Sequence, residues 1–356
     1  MDFMEVTQII ITVIIGAAGI SFISMFFGLL FKGIDRKLAA HMQGRIGPPV
    51  RQPFLDVRKL FVKENIIPDN AIEWVFNLAP IMGLVAAISI LLYLPFGGFP
   101  ALFDGFLVAK GDLLLILYLL IVPSLALVIG GFSSGSPYAT VGAQREMATM
   151  IAYEFPLAII IISIAWRLSI EQGSQHVFAL STLTSMPLWS VVGPVGFLGV
   201  IILLFTLVIV TPAELSKIPF DSPEAETEIA GGLLVEYSGR NLAMFYLTDG
   251  VKTVVMGTLI VALFFPYNLS PFLGLSGLWA NGVDVIFFFI KLFLVILFSV
   301  TLIRVALARL KIDQIVYTYW VPLTLLGLVG LICIMWDQTI MAQFNLPTMV
   351  DLLGFS

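Results

Sequence analysis

The sequence predicts an all-α integral membrane protein with about eight transmembrane helices and short amphipathic cytoplasmic helices, and three observations predict it. Of the 356 residues, 59% are hydrophobic and 12% charged, with a mean hydropathy of +1.04. That is more apolar material than the core of a soluble domain requires. Apolar runs of about 20 residues, enough for a helix to cross roughly 30 Å of hydrocarbon, recur along the whole chain. These runs lack the period-two alternation of a barrel, and in hydrocarbon a helix pairs its own backbone groups.

The runs fall near 9–31, 74–95, 112–132, 146–167, 191–211, 243–265, 284–306 and 317–336. An even number of spans puts both termini on one side. The segment after the first run carries Lys32, Arg36, Lys37, Arg45, Arg51, Arg58, Lys59 and Lys63, and same-side loops add Arg145, Lys217, Arg240, Arg304, Arg309 and Lys311. The alternate loops offer Lys110 and Arg167. The positive-inside rule therefore predicts a cell-membrane protein with both termini outside. Acidic Asp2 and Glu5 precede the first run where a signal peptide would be basic, so it reads as a retained anchor. The chain reads as one polytopic domain, 1–356, without repeats.

A net charge of -5 and basic residues that cluster in loops, with Lys252 and Lys291 inside spans, argue against nucleic acid. The single cysteine, Cys333, sits in an apolar run, and His41 and His176 lie far apart, so no disulfide or metal-ligand spacing is visible. Two cytoplasmic loops are long, about 32–73 and 212–242. In the first, a Gly-Pro-Pro turn at 47–49 leads to Phe54, Val57, Leu60 and Phe61 at helical spacing, opposite Asp56, Arg58, Lys59 and Lys63. This spacing predicts a short interfacial helix. The second holds Glu214, Asp221, Glu224, Glu226, Glu228 and Glu236 against Lys217 and Arg240. Its Pro219-Phe220-Asp221-Ser222-Pro223-Glu224 run reads as a helix start, capped by Asp221 or Ser222, with Glu224 and Glu228 on one face.

Charges within spans cost about 2.5–3.5 kcal/mol on insertion scales, so each should face protein or water. Glu154, about 13 Å along the helix from Arg145, is the leading proton-site candidate, with Pro156 close behind as a kink. The bland alternative is a protonated Glu bonded to a neighbour. Asp249 and Lys252, three apart, are spaced to neutralise each other. Lys291, seven residues after Asp284, needs a partner on another helix, and Glu154 is one option.

The motifs resemble a known family, the membrane subunit at the junction with the peripheral arm in respiratory complex I and related hydrogenases. In bacteria it is the H subunit, and in mitochondria it is called NADH dehydrogenase subunit 1. The resemblance extends from Arg45 to about Gln314. Its blocks are Arg45-Ile46-Gly47-Pro48 with Gln52-Pro53 and Asp56 to Leu60; Lys63-Glu64; Tyr153-Glu154 with Pro156; Ala213-Glu214, Pro219-Phe220-Asp221, Glu224-Ala225-Glu226 and Glu236-Tyr237; and Arg304, Arg309, Lys311, Asp313-Gln314. Unlike the quinone-reducing branch, Pro49 follows Gly47-Pro48, Gln52-Pro53 arrives early, and Lys217-Ile218 stands where that branch has an Arg. The stretch Gly135 to Met147 is similar to the membrane-bound nickel–iron hydrogenases and their ferredoxin-dependent sulfur-reducing cousins.

The resemblance implies a membrane-anchoring and coupling subunit of a redox-driven ion pump that moves protons or sodium and has no catalytic residue or cofactor of its own. The 4Fe–4S clusters, and in a hydrogenase the Ni–Fe centre, would lie in partner subunits. Expected partners are peripheral iron–sulfur and hydrogenase-like subunits, small membrane and antiporter-like subunits, and lipid. An ion relay is expected at Glu154, Glu214, Asp221, Glu224, Glu226, Glu228, Glu236, Asp249, Lys252 and Lys291, as a funnel of acids leading towards Glu154. Docking is expected at Arg45, Gly47, Asp56, Arg58, Lys59, Arg145, Lys217, Arg304, Arg309 and Asp313. Alternatives are the quinone-site subunit of an NADH:quinone oxidoreductase and a stand-alone secondary transporter, although no inverted repeat shows in the hydropathy. For the loops, plain docking by the acidic segment and lipid headgroup contact by Arg58, Lys59 and Lys63 are the simpler readings.

Overall fold

The computed structural model describes residues 3–94, 112–172, 178–344 and 347–348. The connector expected around Gly97, Gly98 and Pro100 lies outside the described residues, as do Asp2, Lys110 and His176. The described chain is helical throughout its spans: α1 (Phe3–Met42), α2 (Gln52–Val62), α3 (Glu73–Tyr93), α4 (Leu113–Ser133) and α5 (Pro137–Gln172). Two short turns, α6 (Leu180–Ser185) and α7 (Leu188–Val191), lead into α8 (Pro194–Glu214). The acidic loop contributes a single turn, α9 (Glu226–Ile229), before α10 (Gly239–Phe264). The remainder is α11 (Leu278–Ile296) and α12 (Leu302–Ala306), joined by a π-helical turn, then α13 (Ile312–Thr318) and α14 (Thr324–Phe344), joined by another. Eight helical stretches are long and apolar enough to cross a membrane, one for each expected run.

Their boundaries differ from the apolar runs. Residues 32–42, expected as loop, continue α1. The charges there did not end the helix because they find partners: Lys32 with Asp249, Asp35 with Arg304, and Arg36 with Asp56. Likewise α5 begins at Pro137, well before the apolar run, and continues through Pro156 as one helix. Arg167 is no loop residue; it lies on α5, 1% exposed, and donates to the Val191 carbonyl.

Among these helices α10 sits in the middle. It packs on α1, α3 and α11, and every residue from Gly250 to Phe264 is buried. It is the span that lipid touches least, which is why it can carry Asp249 and Lys252 where hydrocarbon would penalise them. Its crossing with α1 depends on missing side chains. A Cβ on Gly28 would lie 2.5 Å from the backbone of Gly250, so the two helices meet at van der Waals range. The Gly47 turn is also tight, because a Cβ there would meet Ala40 at 2.8 Å. That turn folds the chain back on the end of α1 and aims α2 across the bundle.

The expected interfacial helix is α2. Pro53 and Val57 are buried against the bundle, while Arg58, Lys59 and Lys63 are exposed. Phe61, expected on the apolar face, is instead 53% exposed.

Candidate functional site

Four helices bring polar side chains together beneath the loops. Glu214, in the last turn of α8, is 2% exposed and pairs at 2.8 Å with Lys252 of α10, which is 5% exposed. The Lys252 ammonium also donates to Ser124 of α4 at 2.7 Å, and Ser124 shares a 3.1 Å hydrogen bond with the Tyr153 hydroxyl of α5. The Glu154 carboxyl follows Tyr153 directly; its buried Oε1 has no hydrogen-bond partner, and it lies within electrostatic reach of Glu214 and Lys252. A buried ammonium held by a carboxylate and a hydroxyl satisfies what would otherwise be a large desolvation cost.

One turn earlier on α10, Asp249 collects two lysines. Lys217 Nζ reaches both its oxygens at 2.6–2.7 Å, and Lys32 Nζ reaches Oδ2 at 2.6 Å. The expected Asp249–Lys252 pair is therefore not formed. Three residues of helix do place them on one face, but each is outcompeted by a partner from another element. Lys291 is a second correction. It donates to the carbonyls of Phe265 and Tyr267 at 2.9 and 2.7 Å, beyond the end of α10, and not to Glu154.

The acidic loop closes over this layer. Asp221 does not cap a helix; it takes a bidentate pair from Arg309, with Nε at 2.9 Å from Oδ1. Residues Ser222–Glu224 form only a 3-10 turn, and α9 stops at Ala230, whose φ is 52°. Glu224 and Glu228 consequently do not share a face. Glu228 is exposed and pairs with Arg145 at 2.6 Å, whereas Glu224 turns inward. Burial pushes the Glu224 carboxyl above the usual carboxylate range, with Asp249 adding to the rise and Lys217 and Lys32 opposing it. The bond from Asp221 holds the Arg309 guanidinium above its usual value. Further anchors are the Leu310 amide donating to the Pro219 carbonyl at 3.1 Å and Phe220 packed edge-on against Tyr319 at 5.1 Å.

Two polar cavities lie between loop and helices. One, about 310 Å³, is lined by Glu214, Lys217, Glu224, Glu226, Asp249 and Lys252 among others. The other, about 360 Å³, adds Asp35, Asp221, Arg304 and Arg309. They share Lys32, Arg36, Ser216, Lys217, Glu224 and Glu226. Glu236 lines neither; it is half-buried next to Tyr237, whose ring stacks on Phe76 at 4.0 Å.

Of the residues expected to dock partners, Arg45, Arg58, Lys59 and Asp313 are exposed. Asp56 pairs with Arg36 at 3.5 Å, Arg304 with Asp35 at 2.7 Å, and Arg145, Lys217 and Arg309 are held within the chain as described. Sequence reasoning missed Lys32 and Asp35 as paired groups, since both sit just past an apolar run. It also missed Glu146, 1% exposed on α5, and Asp337, fully buried on α14, where it accepts from the amides of Gly193 and Gly196 at 2.8 and 2.7 Å. Asp337 stands one residue past the last apolar run, 317–336, in a helix that continues to Phe344, and as a lone acid at the end of a span it was detectable.

A profile of the NADH dehydrogenase family matches residues 15–335. The H subunit of the NADH-quinone oxidoreductase of Syntrophotalea carbinolica is 32% identical over 310 residues, 84% of this chain and 87% of that one. Its counterpart in Thermomicrobium roseum is 31% identical and covers 92% and 98%. A solved structure of the membrane-bound sulfane sulfur reductase, an archaeal respiratory membrane complex, contains a chain that superposes with a TM-score of 0.76. That chain is 28% identical, and the match covers 92% of this chain and 99% of that one. With the family profile running from the first candidate span into the last and across the acidic loop, the chain belongs to the NADH dehydrogenase family, as a multi-pass membrane subunit of the complex I type.

Proposed function

We propose that this chain anchors and couples a multisubunit redox-driven ion pump. It docks an iron–sulfur peripheral arm on its loop face and relays changes of charge to antiporter-like neighbours in the membrane. The observation that carries this reading is the connected layer of buried charge, Glu214–Lys252–Ser124–Tyr153 with Glu154, opening through Lys217 and Asp249 onto polar cavities beneath the loops. Crowded carboxylates that share one lysine cannot all ionise cheaply. A charge arriving beside the cavities thus changes which acids hold protons, and the buried chain passes that change towards Glu154.

Exposed Arg45, Arg58 and Lys59 in the first loop and exposed Glu226 and Glu228 in the second give the loops charges of both signs. Such a surface suits a protein partner with complementary potential. By the positive-inside rule this face is cytoplasmic and both termini are outside. The clusters that drive the pump, 4Fe–4S and in a hydrogenase Ni–Fe, belong in this reading to partner subunits.

Within that class, a ferredoxin-dependent hydrogenase or sulfur reductase is favoured by the Gly135–Met147 motif and by the likeness to the sulfane sulfur reductase chain. The cavity lined by Asp35, Asp221, Arg304 and Arg309 is mostly polar, which suits water and ions better than a long apolar quinone tail, whereas the other mixes charges with Pro123, Leu127, Leu234, Leu242 and Phe245. The quinone-site reading keeps one supporting observation, that the curated relatives are named as subunits of NADH-quinone oxidoreductases. Isolation of the complex in mild detergent, with metal analysis and assays of reduced ferredoxin against protons, polysulfide and quinone, tests the choice. Nickel with hydrogen evolution selects the hydrogenase, and polysulfide reduction without nickel selects the sulfur reductase. Quinone-dependent turnover overturns both in favour of the quinone reductase, and activity of this chain purified alone would make it a transporter.

A further inference from the structure

We propose that Glu146, a buried carboxyl beside the Ser216 hydroxyl, is the proton-accepting group that connects the polar cavities to the Glu214–Lys252 pair. This rests on the coupling function above. Glu146 lies on α5, eight residues before Glu154 and so about 12 Å along the same helix. It is 1% exposed; its Oε1 has no hydrogen-bond partner, and its Oε2 is approached by the Ser216 hydroxyl only at 3.5 Å. An ionised carboxylate so poorly satisfied is costly, so this site favours either a proton or a cation on it.

The groups that face it supply both. Lys252 of α10, Glu224 of the 3-10 turn and Glu214 at the end of α8 lie within electrostatic reach of it. Ser124 faces it from α4, Ser216 from the loop, and Tyr153 from α5 itself. Lys252 carries three donors, of which Glu214 and Ser124 engage two. Lys252 is thus committed to Glu214 and acts on Glu146 through space. Ser216 lines both cavities and its hydroxyl approaches Glu146, so it is the group through which cavity water reaches Glu146.

The step is a proton transfer without change of oxidation state. A proton from cavity water, passed by the Ser216 hydroxyl, binds the Glu146 carboxylate, removes a negative charge within reach of Lys252 and leaves that lysine to Glu214 alone. Release of the proton restores the competition and loosens Lys252 from Glu214. The trio of one lysine and two acids thus stores one exchangeable proton at the mouth of the relay.

The test uses the complete complex in sealed vesicles, comparing Glu146→Gln, Glu146→Asp and Glu214→Gln. Two quantities are read: ions moved per electron, and the carboxylic-acid band in the infrared difference spectrum on reduction. Glu146→Gln should lower the ion yield to less than half and remove a carboxylic-acid band, while Glu146→Asp keeps most of the yield and shifts that band. Parental yield and spectrum in Glu146→Gln overturn the proposal. If Glu214→Gln uncouples and Glu146→Gln does not, Glu146 falls and the relay stands; if neither uncouples, the relay itself falls. Should Glu146→Gln fail to assemble, the Asp variant decides, because a band left unshifted assigns the proton elsewhere.

Discussion

Lys252 and Glu224 show how single side chains set the behaviour of the site. Removing Lys252 by a Lys252→Met change leaves Glu214 buried without a cation, a loss of about 3–5 kcal/mol. Thermal unfolding of the purified complex should show the drop, and Glu214→Gln on the same background should restore most of it. An unchanged melting temperature in the single variant would contradict the pairing. Glu224 predicts a pH dependence. The folded chain holds its proton more tightly than the unfolded chain, because burial raises the folded value. Its contribution to stability is therefore full below the unfolded value of about 4.3 and is lost as pH rises through the raised folded value. Glu224→Gln should melt with a shallower loss of stability as pH is raised from acid towards neutral, and a steeper loss would refute the assignment. The charged residues themselves were legible, since Glu154, Glu214, Asp249 and Lys252 all lie in or beside apolar runs. Their pairing was not: spacing along one helix cannot see that Lys217 and Lys32 reach Asp249 from other elements, or that Glu214 reaches Lys252.

At the level of elements, the bundle is organised by where α10 crosses its neighbours. Gly28→Val places a branched side chain against the Gly250 backbone, where even a Cβ would sit 2.5 Å away. The variant should accumulate little assembled complex in a native gel, whereas Gly19→Val, at a position with open space around the Cβ, should assemble normally. Equal assembly of both would show that the α1–α10 crossing is looser than described. Hydropathy located the eight spans but not their ends, because paired charges such as Lys32, Asp35 and Arg36 let α1 run on past its apolar stretch. The π-helical turn at Leu297–Thr301 had no sequence signal, whereas Pro322 marks the one at Tyr319–Leu323. The acidic segment was legible as a loop, but its Pro219–Glu224 run, read as a helix start, forms only a 3-10 turn, because Arg309 takes the Asp221 side chain that would have capped it.

For the molecule as a whole, orientation and coupling remain the functional claims. With Cys333 replaced by Ser, an impermeant thiol reagent applied to intact cells should label Phe272→Cys, which is 81% exposed between α10 and α11, and not Arg58→Cys. The opposite pattern would reverse the topology and place the charged loops outside. The family and the fold class were readable from sequence, because the motif order around Pro219-Phe220-Asp221 and the recurrent apolar runs are both local patterns. The buried layer linking α4, α5, α8 and α10 required the folded arrangement, since Ser124 and Tyr153 carry no charge to mark them. The most direct measurement is the number of ions moved per electron by the complete complex in sealed vesicles, parent against Glu214→Gln. The relay predicts that electron transfer persists while ion movement is largely lost, and an unchanged ratio would contradict it.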